Sequence, residues 1–101
     1  MAIRDMVSTT TSLAMNTTLD IKPTTAGEEW IVHNIYIDLG SEIEVYRWYT
    51  AGGSSPLLLI TKASHSLLSQ QFHCSSTQYL VIKNIGTSTA WVSYDGIVTN
   101  T

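Results

Sequence analysis

A chain of 101 residues and 11.1 kDa, 44% hydrophobic, has room for one hydrophobic core and not for a second. Charged residues make up only 13%, and 14 Thr with 12 Ser give the polar surface a hydroxyl character; the formal net charge of −3 argues against a nucleic-acid binder, which gathers a basic excess on one face. The single cysteine forbids an intrachain disulfide, no apolar run approaches the roughly 20 residues that span a bilayer, and no charged start leads into an apolar signal core.

Residues 1–29 hold seven Thr and two Ser with scattered apolar positions, whereas residues 30–98 hold nearly all the large apolar side chains. Ile3, Met6 and Val7 have the spacing of a helical turn, but Thr9-Thr10-Thr11 follows at once, and β-branched runs are poor helix formers. Residues 1–16 therefore read as an extended N-terminal arm, and residues 17–101 as a single β-sandwich domain. At about 3.3 Å per residue the arm reaches roughly 50 Å. Its apolar residues Ile3, Met6, Val7, Leu13 and Met15 suit docking on a neighbouring chain, with main-chain hydrogen bonds at a sheet edge and pockets for alternate side chains. A frayed terminus is the plain alternative.

Residues 17–21 suit a first strand, stopped by Lys22-Pro23. Residues 30–38 are β-branched and aromatic, with Ile31, His33, Ile35 and Ile37 on one side and Trp30, Val32, Asn34 and Tyr36 on the other. Residues 42–50 alternate too, with Ile43, Val45, Arg47 and Tyr49 opposite Glu42, Glu44, Tyr46 and Trp48. Leu39-Gly40-Ser41 between them predicts a β-hairpin. Residues 51–56, rich in Gly and Ser and closed by Pro56, form the strongest breaker. Residues 57–61 are a short apolar strand, and residues 66–72 suit either a strand or one helical turn. Residues 79–84 and 89–94 are strands, Asp95 and Gly96 form a tight turn or a bulge, and residues 97–99 finish the sheet. About seven short strands at this spacing predict an all-β protein, a sandwich or a small barrel, with an antiparallel sandwich of jelly-roll-like type preferred.

Few of these residues carry the spacing of a chemical site. His33, His65, His73 and Cys74 are the soft metal ligands, but the gaps of 32 and 8 residues lack the close pairing of zinc sites. His73 and Cys74, adjacent in a strand, point to opposite faces. No serine lies in a G-x-S-x-G elbow. Asp95 before Gly96 suits turn chemistry better than catalysis, and Cys74 has no neighbouring cation to activate it. No enzyme activity and no cofactor is expected. The aromatics say more. Glu44, Tyr46 and Trp48 share a face beside Arg47, a combination common at protein interfaces and sugar platforms; the plain alternative is packing, with Trp48 covering the edge of the core and Tyr46 flat on the sheet. Trp30 and Trp91 are expected on outer faces as well.

Residues 30–99 resemble small phage virion proteins that lie on the capsid surface as decoration, or cement, proteins. The segments that carry the likeness are Trp30-Ile31-Val32-His33-Asn34-Ile35-Tyr36, Glu44-Val45-Tyr46-Arg47-Trp48, Tyr79-Leu80-Val81-Ile82-Lys83-Asn84 and Trp91-Val92-Ser93-Tyr94-Asp95-Gly96-Ile97-Val98. The resemblance implies a non-enzymatic β-sandwich in the virion, on the capsid surface. It would be a homo-oligomer, often a trimer, clamping neighbouring major capsid protein subunits against the pressure of the packaged genome. The interface expected from residues and resemblance together comprises Ile3, Met6, Val7, Leu13, Tyr46, Arg47, Trp48 and Trp91. A carbohydrate-binding or tail-associated sandwich using exposed Tyr and Trp is the alternative.

Overall fold

The computed structural model describes residues 2–49 and 57–101, with side chains described for residues 2–48 and 63–101. The described residues form eight strands: β1 (Met6–Leu13), β2 (Thr18–Ile21), β3 (Glu29–Ile37), β4 (Ile43–Tyr49), β5 (Leu57–Ala63), β6 (Phe72–Ser75), β7 (Gln78–Asn84) and β8 (Ala90–Asn100). They form two antiparallel four-stranded sheets, β1-β8-β3-β6 and β2-β7-β4-β5. The pairings nest: β1 with β8, β2 with β7, β3 with β6 and β4 with β5. That nesting is the winding of an eight-stranded jelly roll, and its class, an all-β sandwich of two antiparallel sheets, is the one expected from the sequence. The breaker at residues 51–56 lies outside the described residues.

The core fills the space between the sheets. Val7, Leu13, Trp30, Val32, Ile35, Cys74, Val92, Tyr94 and Val98 line it from the first sheet, and Ile21, Ile43, Val45, Leu80 and Ile82 from the second. Burying one such aliphatic side chain contributes about 1.5–3 kcal/mol. Asn84, fully buried at the end of β7, has its polar atoms paired. Its Nδ2 donates to Leu13 O at 2.8 Å and Ser88 O at 2.9 Å, and its Oδ1 accepts from Gly86 N at 2.9 Å. It ties the end of β1 to the β7–β8 turn.

Four features depart from the sequence expectation. First, residues 6–13, assigned above to the arm, are an edge strand of the first sheet, paired with β8 along their whole length. Their alternation sends Val7 and Leu13 into the chain's own core and leaves Met6 outside. Second, residues 30–37 and 43–49 are not a hairpin. β3 pairs with β8 and β6, β4 pairs with β7 and β5, and the turn with Gly40 at φ +84° carries the chain from one sheet to the other. Third, β3 is not a uniform strand. Val32 faces Gly96 and Asn34 faces Asp95, so His33 is an extra residue, and the bulge reverses which side later residues face. Trp30 and Val32 point inward before it, Ile35 after it. Trp30, expected outside, is therefore in the core, with its Nε1 donating to Glu28 Oε1 at 2.8 Å and its ring 6.4 Å from that of Tyr94.

Fourth, Asp95 and Gly96 form no turn; they lie inside one continuous β8, and the bulge, the other expectation here, is on the facing strand, β3. A Cβ on Gly96 would fall 2.2 Å from Ile31 O and 2.8 Å from Val32 Cα, so only glycine lets the two strands approach there. The ambiguous stretch after β5 is a loop, not a helical turn. Leu67 exchanges both main-chain hydrogen bonds with Ile35 at 2.8 Å.

Candidate functional site

β4 and β7 build the strongest candidate surface, on the outer face of the second sheet. Strict alternation puts Glu44, Tyr46 and Trp48 on that face, as expected. Register then sets each beside a β7 residue: Glu44 opposite Lys83, Tyr46 opposite Val81, and Trp48 opposite Tyr79. Thr18 of β2 faces Lys83, and Asp20 faces Val81. Although Tyr79 and Val81 point away from the sandwich core, both are buried. Neighbouring rings and the Lys22 ammonium, 4.5 Å from the Tyr79 ring centre, cover them.

The result is a ridge at Trp48 between two shallow concavities. One, about 230 Å³, is lined by Thr18, Tyr46, Trp48, Val81 and Lys83. The other, about 250 Å³, is lined by Thr18, Asp20, Trp48, Tyr79 and Val81. Tyr46 OH donates to Glu44 Oε1 at 2.8 Å, which fixes the ring and raises the phenol above its ordinary range, the hydrogen bond being the main cause. Tyr46 and Trp48 stay half-buried, with one flank on the core and the other toward solvent. Such a surface offers aromatic contact with a few polar groups at its rim.

The other expected interface residues are scattered. Arg47 is used within the chain: Nη1 donates to His73 O and Nη2 to Gln78 Oε1, tying β4 to β6 and to the start of β7. Trp91 lies on the opposite face of the molecule, on β8, 56% exposed. Ile3 and Met6 are exposed near the first sheet's edge, and Val7 and Leu13 are inside. The structure brings together Tyr46 and Trp48 and not the rest.

Sequence reasoning missed a polar network on the first sheet. Asp95 accepts from Asn34 Nδ2 at 2.7 Å and from Tyr36 OH at 2.8 Å, while Asn34 Oδ1 accepts from Ser69 N at 3.0 Å. The hydrogen bond to Asp95 raises the Tyr36 phenol above its ordinary range. The bulge at His33 assembles this group, and nothing in residues 30–38 signals it.

Cys74 and His73 point to opposite faces of β6. Burial pushes the Cys74 thiol up to about 11, so it is a neutral core residue at pH 7. His73 Nε2 meets Glu29 Oε1 at 2.8 Å, and Asn100 Nδ2 donates to Glu29 Oε2 at 2.8 Å. These bonds hold the Glu29 carboxyl below its ordinary range, Asn100 being the largest cause. Among the described residues no three of His, Cys, Asp and Glu converge on one point, and no helix is long and apolar enough to cross a membrane. No protein-family model and no curated protein matches this chain.

Proposed function

We propose that this chain is a structural virion protein that decorates a phage capsid, binding as a homo-oligomer between major capsid protein subunits and stabilising the shell. The observation that carries the reading is the aromatic ridge of Tyr46 and Trp48. It is a shallow, low-charge surface that suits broad contact with protein more than enclosure of a small ligand. The resemblance of residues 30–99 to decoration proteins supports it. So does the jelly-roll winding, a fold that recurs in viral capsid domains. A surface of Ser and Thr with few charges lowers the desolvation cost of extensive contact.

The test is binding to expanded, genome-free shells. The chain binds them and raises their melting temperature. Thr18→Arg, which fills the rim shared by both concavities without touching the core, weakens binding about tenfold or more. Absence of shell binding overturns the reading.

A second reading rests on the polar rim. Thr18, Asp20 and Lys83 flank the Trp48 ring, an arrangement in which a sugar stacks on the ring and hydrogen-bonds to its edges. A carbohydrate-binding or tail-associated module would then give a glycan-array signal that disappears in Trp48→Ala.

A further inference from the structure

The first sheet ends at β1, and that edge is unlike the others. β2 and β6 are four residues long, β2 carries Asp20 and leads into Lys22-Pro23, and β6 is tied down through His73. β5 carries Lys62. β1 is eight residues long, runs in unbroken register with β8, and has no proline. Between Asp5 and Asp20 the chain bears no charged residue. Natural edges of this length normally carry a charge, a proline or a bulge that prevents pairing with another chain. Among the described residues nothing pairs with the outer edge of β1.

Main-chain hydrogen bonds fix which groups point outward. Val98 N donates to Asp5 O at 2.9 Å, and Arg4 N to Val98 O at 2.7 Å, whereas Asp38 N reaches Trp91 O at 3.2 Å from the other flank. Even-numbered residues of β8 therefore bond to β1, and odd-numbered ones to β3. With Met6 opposite Ile97, the odd-numbered residues of β1 are committed to β8. Met6, Ser8, Thr10 and Ser12 turn their N–H and C=O groups to the open edge. The sequence of that edge is a near palindrome, Val7-Ser8-Thr9-Thr10-Thr11-Ser12-Leu13, with Thr10 at its centre.

We infer that β1 pairs with β1 of a second copy of this chain, antiparallel across a two-fold axis through Thr10, joining the two first sheets into one eight-stranded sheet. Thr10 then faces its own counterpart, Ser8 the partner's Ser12, Thr9 the partner's Thr11, and Val7 the partner's Leu13. Even residues meet even residues, so the outward-pointing groups meet in close pairs. Three such pairs, two bonds each, make about six main-chain hydrogen bonds. Faces also match: Thr–Thr and Ser–Ser pairs, favourable across strands, occupy the middle. On the inner side Thr9 is exposed, and a concavity of about 320 Å³ lined by Val7, Thr24, Trp30 and Tyr94 opens beneath the edge. A second copy fits better than an unrelated strand because the palindrome makes the edge complementary to itself, as a two-fold interface requires.

The inference does not depend on the capsid reading, and its test uses the free protein. Sedimentation over a range of concentrations finds a dimer for the wild type. Thr10→Pro removes an N–H that points to the open edge and spares the bonds to β8, so it raises the dimer dissociation constant tenfold or more while the β-type circular dichroism persists. Charge pairs test the register without altering the backbone. Ser8→Lys with Ser12→Lys sets like charges opposite each other and yields monomer, whereas Ser8→Lys with Ser12→Glu sets opposite charges together and restores the dimer. A wild-type monomer at 100 µM, about the upper end of weak affinities worth measuring, overturns the inference. So does a dimer or trimer indifferent to these charge pairs.

Discussion

The two outer faces of the sandwich handle their aromatic residues in opposite ways. On the second sheet, Tyr46, Trp48, Tyr79 and Val81 pack on one another and bury Tyr79 and Val81, a small apolar layer outside the main core. On the first sheet, Tyr36 is tethered to Asp95, Thr10 Oγ1 lies 2.9 Å from Ser93 Oγ, and the Trp91 ring stands in solvent while the main-chain N–H of Trp91 donates to Asp38 Oδ2 at 2.8 Å. The difference follows from what faces each ring across the strand. Trp48 meets Tyr79, an apolar neighbour that gains from being covered. Trp91 meets Ser12 on β1, which does not. Exposure of an aromatic is thus decided by its cross-strand partner more than by its own strand.

The largest effect expected is at the position that shapes the first sheet. Gly96→Ala puts a methyl group against Ile31 O and the Val32 backbone, where no flexible side chain can yield. It costs about 3 kcal/mol or more, read as a lower urea midpoint. An unchanged midpoint would mean that the close approach, and the polar face built on it, is not required.

Next comes the direct contrast of the two tryptophans. Trp48→Ala uncovers Tyr79 and Val81 and removes half-buried packing, at about 2–3 kcal/mol. Trp91→Ala changes stability by no more than about 0.5 kcal/mol. Equal unfolding midpoints for the two variants would erase the distinction between the faces.

The smallest effect is electrostatic. Glu29 is held below its ordinary range by Asn100 and His73, so its contacts stabilise the fold above the ordinary carboxylate pKa of about 4.3. That contribution is lost as pH falls through the depressed native value. Wild type is therefore slightly more stable than Glu29→Gln at pH 7, and the two converge in acid once the native carboxylate is protonated. Parallel stability curves from pH 7 to pH 3 would remove the carboxylate from the account.

Much of this architecture is legible in the residues. The alternation of β4 places Glu44, Tyr46 and Trp48 together, the adjacency of His73 and Cys74 separates them, and Lys22-Pro23 ends β2. Those are local properties of a two-residue repeat. Cross-strand partners are not local. Val81 and Tyr79 join the candidate site because register sets them beside Tyr46 and Trp48, more than 30 residues away in sequence.

By itself the sequence determined the class of structure and the faces within unbroken strands, because side-chain alternation and turn chemistry are written in neighbouring residues. Only the tertiary structure decided that residues 6–13 close the first sheet, that the turn at Gly40 crosses between sheets, and that an extra residue at His33 turns Trp30 inward and Asn34 and Tyr36 toward Asp95. The physical reason is common to all three. A strand's place and the site of a bulge depend on hydrogen bonds and clearances offered by a distant partner, here β8 with the glycine that allows β3 to approach.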